Sequence, residues 1–135
     1  MKINTPSGPE PDLDADSHPS QKRLEYNFIF DNRRRIWRPP TDFFETANNF
    51  EVHLEAGGMK EDDFSITFIK QSLFISAVRS GSEERRTYHQ MEITYGELGV
   101  HIKIPSPVIK EEIDASYHNG ILIVVLPKAR KTSDT

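Results

Sequence analysis

Residues 113–128 read Ile113-Asp114-Ala115-Ser116-Tyr117-His118-Asn119-Gly120-Ile121-Leu122-Ile123-Val124-Val125-Leu126-Pro127-Lys128. The first five alternate. Ile113, Ala115 and Tyr117 fall on one face, and Asp114 and Ser116 on the other, which is the period of a half-buried strand. Asn119-Gly120 follows. Both residues tolerate positive φ, so the pair is the strongest short-range signal for a two-residue hairpin. Residues 121–126 are apolar at every position, which predicts a central strand covered on both sides. Pro127 has no amide proton to give to a ladder and stops the run.

Working upstream, the same period recurs. Phe50, Val52 and Leu54 alternate with Glu51, His53 and Glu55 until Gly57-Gly58. Phe64, Ile66 and Phe68 alternate with Ser65 and Thr67. Leu73, Ile75 and Ala77 form another face. Leu98, Val100, Ile102 and Ile104 alternate with Gly99, His101 and Lys103 until Pro105. About eight short strands, with no helical period after residue 40, predict an all-β sandwich. Residues 79–98 interrupt the pattern with Gly81 and the charged run Glu83-Glu84-Arg85-Arg86. A connection this long in a compact domain has a task or a structure of its own.

The N-terminal third has a different composition. Residues 1–20 contain Pro6, Pro9, Pro11 and Pro19 with Asp12, Asp14 and Asp16 and few large apolar side chains. Such a stretch buries too little surface to offset its ordering entropy, and disorder is expected. Residues 24–37 are aromatic-rich: Leu24, Tyr26, Phe28, Ile29, Phe30, Ile36 and Trp37 surround Arg33-Arg34-Arg35 without a clean period. Two roles suit them. One is a flap that completes the sandwich core. The other is an adaptable adhesive segment that binds non-native chains or other subunits. Pro39-Pro40 forces extended backbone and sets the boundary. The organisation is therefore an arm over 1–38, a domain over 39–128 and a short tail over 129–135.

Composition narrows the function classes. The 135 residues suffice for one domain. The net charge is −4, against the basic excess of nucleic-acid binders, and the three arginines of the acidic arm read as a solvated stretch. There is no cysteine, hence no disulfide, thiolate metal site or cysteine nucleophile, which fits a cytoplasmic protein. No signal-peptide pattern opens the sequence, and no apolar run approaches the roughly 18–20 residues that span a bilayer. His18, His53, His89, His101 and His118 follow no ligand spacing. Glu61-Asp62-Asp63 and Glu111-Glu112 sit before strands, as solvated turns do. No phosphate loop or nucleophile elbow is present. The expectation is a binding protein, not an enzyme, with no cofactor and no metal.

The order of motifs resembles the small heat-shock proteins, the Hsp20 or α-crystallin domain family, of the bacterial type. Trp37-x-Pro39-x-x-Asp42, Glu45-Thr46 and Phe50-Glu51-Val52 look like the opening of that domain. Gly58-Met59-Lys60-Glu61-Asp62 resembles its P-G-x-x-x-x-D turn. Tyr88 with Glu92, then Tyr95-Gly96, resembles its dimerisation loop, and Ile104-Pro105 its L-P stop. Ala115-x-Tyr117-x-Asn119-Gly120-Ile121-Leu122-x-Val124-x-Leu126-Pro127-Lys128 is similar to the closing A-x-x-x-N-G-V-L-x-V-x-x-P-K signature. The resemblance covers roughly residues 37–128.

It implies an Ig-like β-sandwich and an ATP-independent holdase that covers non-native client proteins under stress. Clients would meet Tyr26, Phe28, Ile29, Phe30 and Trp37 of the arm. Phe64, Ile66, Phe68, Ile113 and Ala115 would line a groove for an apolar peptide. The 79–98 loop would carry an extra strand near Tyr88 to Tyr95 that adds to a partner's first strand, making a homodimer. Its interface would use Asp42, Phe44, Thr46, Tyr88, Met91, Glu92, Ile93 and Tyr95.

This sequence departs from the family pattern in four places, one being Gln90 and Ile93 where loop arginines are usual near Glu92. The G-x-F-x-R element is missing, since Gly96 is followed by Leu98 and Val100, so apolar contacts from Met91, Ile93 and Val100 are expected to replace charged ones. The turn proline is Gly57. Residues 129–135 hold no I-x-I/V pair, which predicts an open groove and dimers or small assemblies. The alternative is a p23-like co-chaperone with a single folded partner, against which the long loop counts.

Overall fold

The computed structural model describes residues 1–6 and 36–130. Two four-stranded sheets face each other. One runs in the order β1 (Ile3–Asn4), β4 (Phe64–Ile69), β5 (Ser72–Arg79), β6 (Gly96–Lys103). The other runs β2 (Thr41–Glu45), β3 (Asn49–Glu55), β8 (Ile121–Pro127), β7 (Asp114–His118). The all-β sandwich expected from alternation is the fold observed.

Register explains the core. Phe64 opposes Ala77, which opposes Leu98; Ile66 opposes Ile75 and then Val100; Phe68 opposes Leu73 and then Ile102. In the facing sheet Phe50, Val52 and Leu54 oppose Leu126, Val124 and Leu122. All of these are buried. Because side chains repeat every second residue, these rows share one face per sheet and meet between the layers. Each aliphatic or aromatic side chain fully removed from water contributes about 1.5–3 kcal/mol before ordering costs.

Two tight turns close hairpins. Asn119 and Gly120 take φ of 52° and 80°, as the sequence predicts. Gly120 answers to its φ of 80°, and a Cβ there would sit 3.4 Å from the Gly57 Cα, a contact the turn could take. The β4–β5 turn is less legible: Lys70 and Gln71 take φ of 53° and 62° with no glycine. The Gln71 side-chain amide donates to the carbonyls of Ile104 (3.2 Å) and Ser106 (2.9 Å), and the Gln71 backbone carbonyl accepts from the Ile104 amide at 2.7 Å. These bonds offset the cost of the left-handed conformation.

Three features differ from the sequence reading. First, β8 is central in its sheet but covered on one side only. Ile121, Ile123 and Val125 are half-buried on the outer face, opposite Glu55, His53 and Glu51. Neighbouring long side chains, not a second layer, shield them. Second, Ile3–Asn4 form a strand, where disorder was expected over 1–20. They run parallel to β4, with Ile3 opposite Ile66 and Asn4 opposite Thr67; two apolar residues at strand spacing, Met1 and Ile3, suffice to dock on an existing edge. Third, residues 80–95 contain no strand. The strand expected there was to add to a partner's β2, and in the single chain this segment pairs with no strand of its own sandwich.

Candidate protein-binding surfaces

Among the described residues strand β2 lies at the end of its sheet and pairs only with β3, so its outer edge presents backbone donors and acceptors without sheet partners there. Phe43 and Phe44 stand on opposite faces of it and remain 39% and 40% exposed. Phe43 leans on Phe50, with ring centres 5.9 Å apart, and Phe44 meets the His53 ring edge-on at 5.0 Å. Asp42 and Thr46 are also exposed.

The 80–95 loop presents a second apolar set. Tyr88, Met91, Ile93 and Tyr95 are all exposed, Ile93 by 61%. Glu92 accepts a hydrogen bond from the Gln90 side-chain amide. All eight residues assigned by resemblance to the dimer interface are thus on the surface. Val100 is not available to it, being fully buried on the inner face of β6; the strand's register turns it toward Ile75. Sequence reasoning missed Phe43 and Val78, both exposed large hydrophobics. Phe43 carried a signal, since adjacent phenylalanines in an edge strand leave one on each face.

The loop is tied at its base. The Arg79 guanidinium donates to the Thr94 carbonyl from Nε (2.9 Å) and Nη2 (2.6 Å) and reaches the Gly57 carbonyl at 3.4 Å. It also lies 4.6 Å from the Trp37 ring centre, in cation–π geometry. Trp37 pairs with β6: its amide donates to the Glu97 carbonyl, and its carbonyl accepts from the Gly99 amide, each at 3.0 Å. Grouped with the arm in the sequence reading, Trp37 is docked on the sandwich in the single chain. Tyr26, Phe28, Ile29 and Phe30 lie outside the described residues.

On the opposite side, β4 and β7 approach across the layers, and the Phe64 and Tyr117 ring centres are 5.1 Å apart. The Tyr117 hydroxyl donates to the Ala56 carbonyl at 2.6 Å and accepts from the Met59 amide at 3.2 Å. Phe64, Ile66, Phe68, Ile113 and Ala115 do come together here, but all five are buried in the core, and Met1 and Ile3 pack against the same cluster. In the single chain β1 pairs with the β4 edge at Ile66 and Thr67, so this part of the edge is occupied.

Among the described residues no three His, Asp or Glu side chains gather as a metal site requires. None of their helices is long and apolar enough to cross a membrane. The surfaces therefore offer apolar side chains and backbone edges, the means of binding polypeptide.

The comparisons with known proteins agree with this geometry. The chain is 28% identical over 100 residues to small heat shock protein C4 of Rickettsia felis, covering 73% of this chain and 61% of that protein, so it spans less than two thirds of the relative. Heat shock protein 16.0 from Schizosaccharomyces pombe superposes with a TM-score of 0.61 at 28% identity, over 73% of this chain and 92% of the other. A small heat-shock protein from Xylella fastidiosa has the same fold, with a TM-score of 0.65 at 24% identity over 75% and 94% of the two chains. The model of the Hsp20/alpha crystallin family matches residues 42–135, well over half of the sequence, and the chain belongs to that family.

Proposed function

We propose that the protein is an ATP-independent holdase, a chaperone that covers apolar surface on non-native proteins and slows their aggregation. The observation that carries this reading is the pairing of a free β2 edge with exposed Phe43 and Phe44 and a loop exposing Tyr88, Met91, Ile93 and Tyr95. Exposed apolar side chains on an edge strand and on a long loop are features that suit protein binding. In this reading the 80–95 loop of one copy adds to β2 of another. The reciprocal exchange makes a homodimer and satisfies the edge backbone groups. The aromatic arm, with Tyr26, Phe28, Ile29 and Phe30, then contacts clients. Burial supplies about 25 cal/mol per Å² of apolar area before ordering costs, so no nucleotide is needed.

The test is light scattering from a heat-labile enzyme in nucleotide-free buffer, with and without the protein. Suppression at a stoichiometric ratio supports the reading. Scattering that rises unchanged at that ratio sinks it.

A further inference from the structure

Gly57 is a glycine without a local reason. Its φ lies outside the left-handed region that Gly58 and Gly120 occupy, and a Cβ built on it would meet nothing within 4 Å. Neither backbone strain nor packing in the single chain excludes a larger side chain there. What a side chain would fill is open space. Gly57 lies where two surface clefts meet, of about 390 Å³ and 670 Å³, and Arg79 lines both. Volumes of this order hold ligands in other proteins.

The smaller cleft runs on to the outer face of the β2–β3–β8–β7 sheet. Trp37, Pro40, Glu55 and Ile121 line it, and the last three also border a depression that holds Asp42 and His53. Register sets these groups side by side, with Asp42 opposite His53 and Glu55 opposite Ile121. The Glu55 amide donates to the Pro40 carbonyl at 3.0 Å, which fixes the floor. His53 is engaged with Glu51 at 3.1 Å, while Asp42 and Glu55 are exposed and form no ion pair among the described residues. One end of the cleft is therefore anionic. Arg79 stands at the other. Each of its three nitrogens gives one N–H to the Thr94 or Gly57 carbonyl, and each terminal nitrogen keeps a second.

We propose that the cleft over Gly57 binds an extended polypeptide segment that carries a lysine or arginine. The cationic head sits between Asp42 and Glu55, with its aliphatic stem on Ile121 and Pro40. The backbone of the segment crosses Gly57, where no side chain stands in its way. One of its carbonyls takes the remaining N–H groups of Arg79. Charge complementarity selects this occupant. A small cation would meet the guanidinium and a small anion the two carboxylates, whereas a polypeptide supplies a cation for one end and a carbonyl for the other. The inference gives the holdase reading a client feature, a basic side chain in an extended stretch, and rests on that reading for the nature of the occupant.

The probe is a fluorescein-labelled peptide of about ten residues, roughly 33 Å when extended, with one arginine and two leucines in a serine–glycine background. Fluorescence anisotropy follows its binding to the full-length protein. A second peptide has glutamine in place of the arginine and is expected to bind at least ten-fold more weakly. Gly57→Val should weaken the arginine peptide at least ten-fold at an unchanged unfolding midpoint. Glu55→Gln should abolish most of the preference for arginine over glutamine. No binding to the wild type, equal binding of the two peptides, or wild-type affinity in Gly57→Val overturns the site. Should Gly57→Val not fold, Glu55→Gln decides, and an undiminished arginine preference in it overturns the proposal. The two readings fail separately. Suppressed aggregation with peptide affinities that ignore Gly57 and Glu55 removes the site and leaves the holdase. Peptide binding as expected with no suppression of aggregation removes the holdase and leaves the site.

Discussion

The Lys128 ammonium lies 2.6 Å from a Glu45 carboxylate oxygen and 5.3 Å from the centre of the Phe50 ring. Its side chain is 7% exposed and that of Glu45 58%. Lys128 follows β8, and Glu45 ends β2. The pair therefore fastens the end of the sandwich to the edge strand that the proposed dimer uses, and the Lys128 amide adds a bond to the Asn48 carbonyl at 2.9 Å.

Nearly the whole Lys128 side chain is buried, so the packing of its stem is lost together with its charge contacts when it is truncated. Lys128→Ala is expected to cost about 1–2 kcal/mol through lost packing and the lost cation–π contact. Lys128→Met keeps the volume and should cost less. Glu45→Gln, with its carboxylate mostly in water, should change stability by no more than about 1 kcal/mol. Urea unfolding of the three variants gives the order. A Glu45→Gln effect larger than that of Lys128→Ala would show that charge pairing, not packing, holds this corner.

The Lys70–Gln71 turn invites a second measurement. Gln71→Ala keeps a left-handed residue but removes the side-chain bonds to Ile104 and Ser106. Each such bond contributes about 0.5–1.5 kcal/mol, so an expected loss of about 1–3 kcal/mol follows. Lys70→Asn places a residue suited to φ of 53° and should be neutral or stabilising by up to about 1 kcal/mol. Thermal unfolding of both variants tests this, and an unaltered midpoint in Gln71→Ala refutes the account of the turn.

This turn also shows why part of the structure was not legible. The Asn119-Gly120 hairpin was readable because its residues bear the local preference for positive φ. Lys70-Gln71 has no such preference, and its support comes from Ile104 and Ser106, more than thirty residues away. Alternation likewise revealed the buried faces of β3, β4, β6 and β7, since solvent on one side dictates a period of two. The unbroken apolar run of β8 could not show that its outer face is shielded only by side chains. The docking of Ile3 on β4 escaped for the same reason: two apolar residues in a polar stretch have no periodic signal until an edge is there to receive them. Of the candidate sites, the loop and edge residues were legible by resemblance. The pairing of Ile3 and Asn4 with β4 was not.

Arg79 concentrates the loop's restraints, with two bonds to the Thr94 carbonyl and a stacking contact on Trp37. Lysine keeps the charge but lacks the planar fork that makes both bonds and stacks on the indole. Arg79→Lys is therefore expected to leave the unfolding midpoint within a few degrees of wild type while the loop loosens. Limited trypsin digestion reads this as several-fold faster cleavage at Arg85 and Arg86, both fully on the exposed loop. Unchanged cleavage there would mean that the Tyr95 ring packed over Gly81, with 3.5 Å between the ring and the position of an added Cβ, is enough to hold the loop.

Ile93 and Phe44 are the substitutions that probe the proposed dimer most directly. Neither belongs to the buried core, and in the single chain Ile93 is 61% and Phe44 40% exposed. An aspartate at either position therefore costs little folding stability in the monomer. In an interface the same change puts a carboxylate into an apolar contact, where an unpaired charge is strongly unfavourable. Ile93→Asp is expected to raise the dissociation constant of the dimer at least ten-fold, which corresponds to about 1.4 kcal/mol. Phe44→Asp should act in the same direction, because the loop of one copy would lie along β2 of the other. Sedimentation across a concentration series measures both. Loss of mass in Ile93→Asp with wild-type mass in Phe44→Asp would mean that the loop associates through a surface other than β2. Unchanged mass in both would remove the loop and the edge from the assembly altogether. The unfolding midpoint of the separated protomer, unchanged by either aspartate, keeps an interface effect distinct from a folding defect.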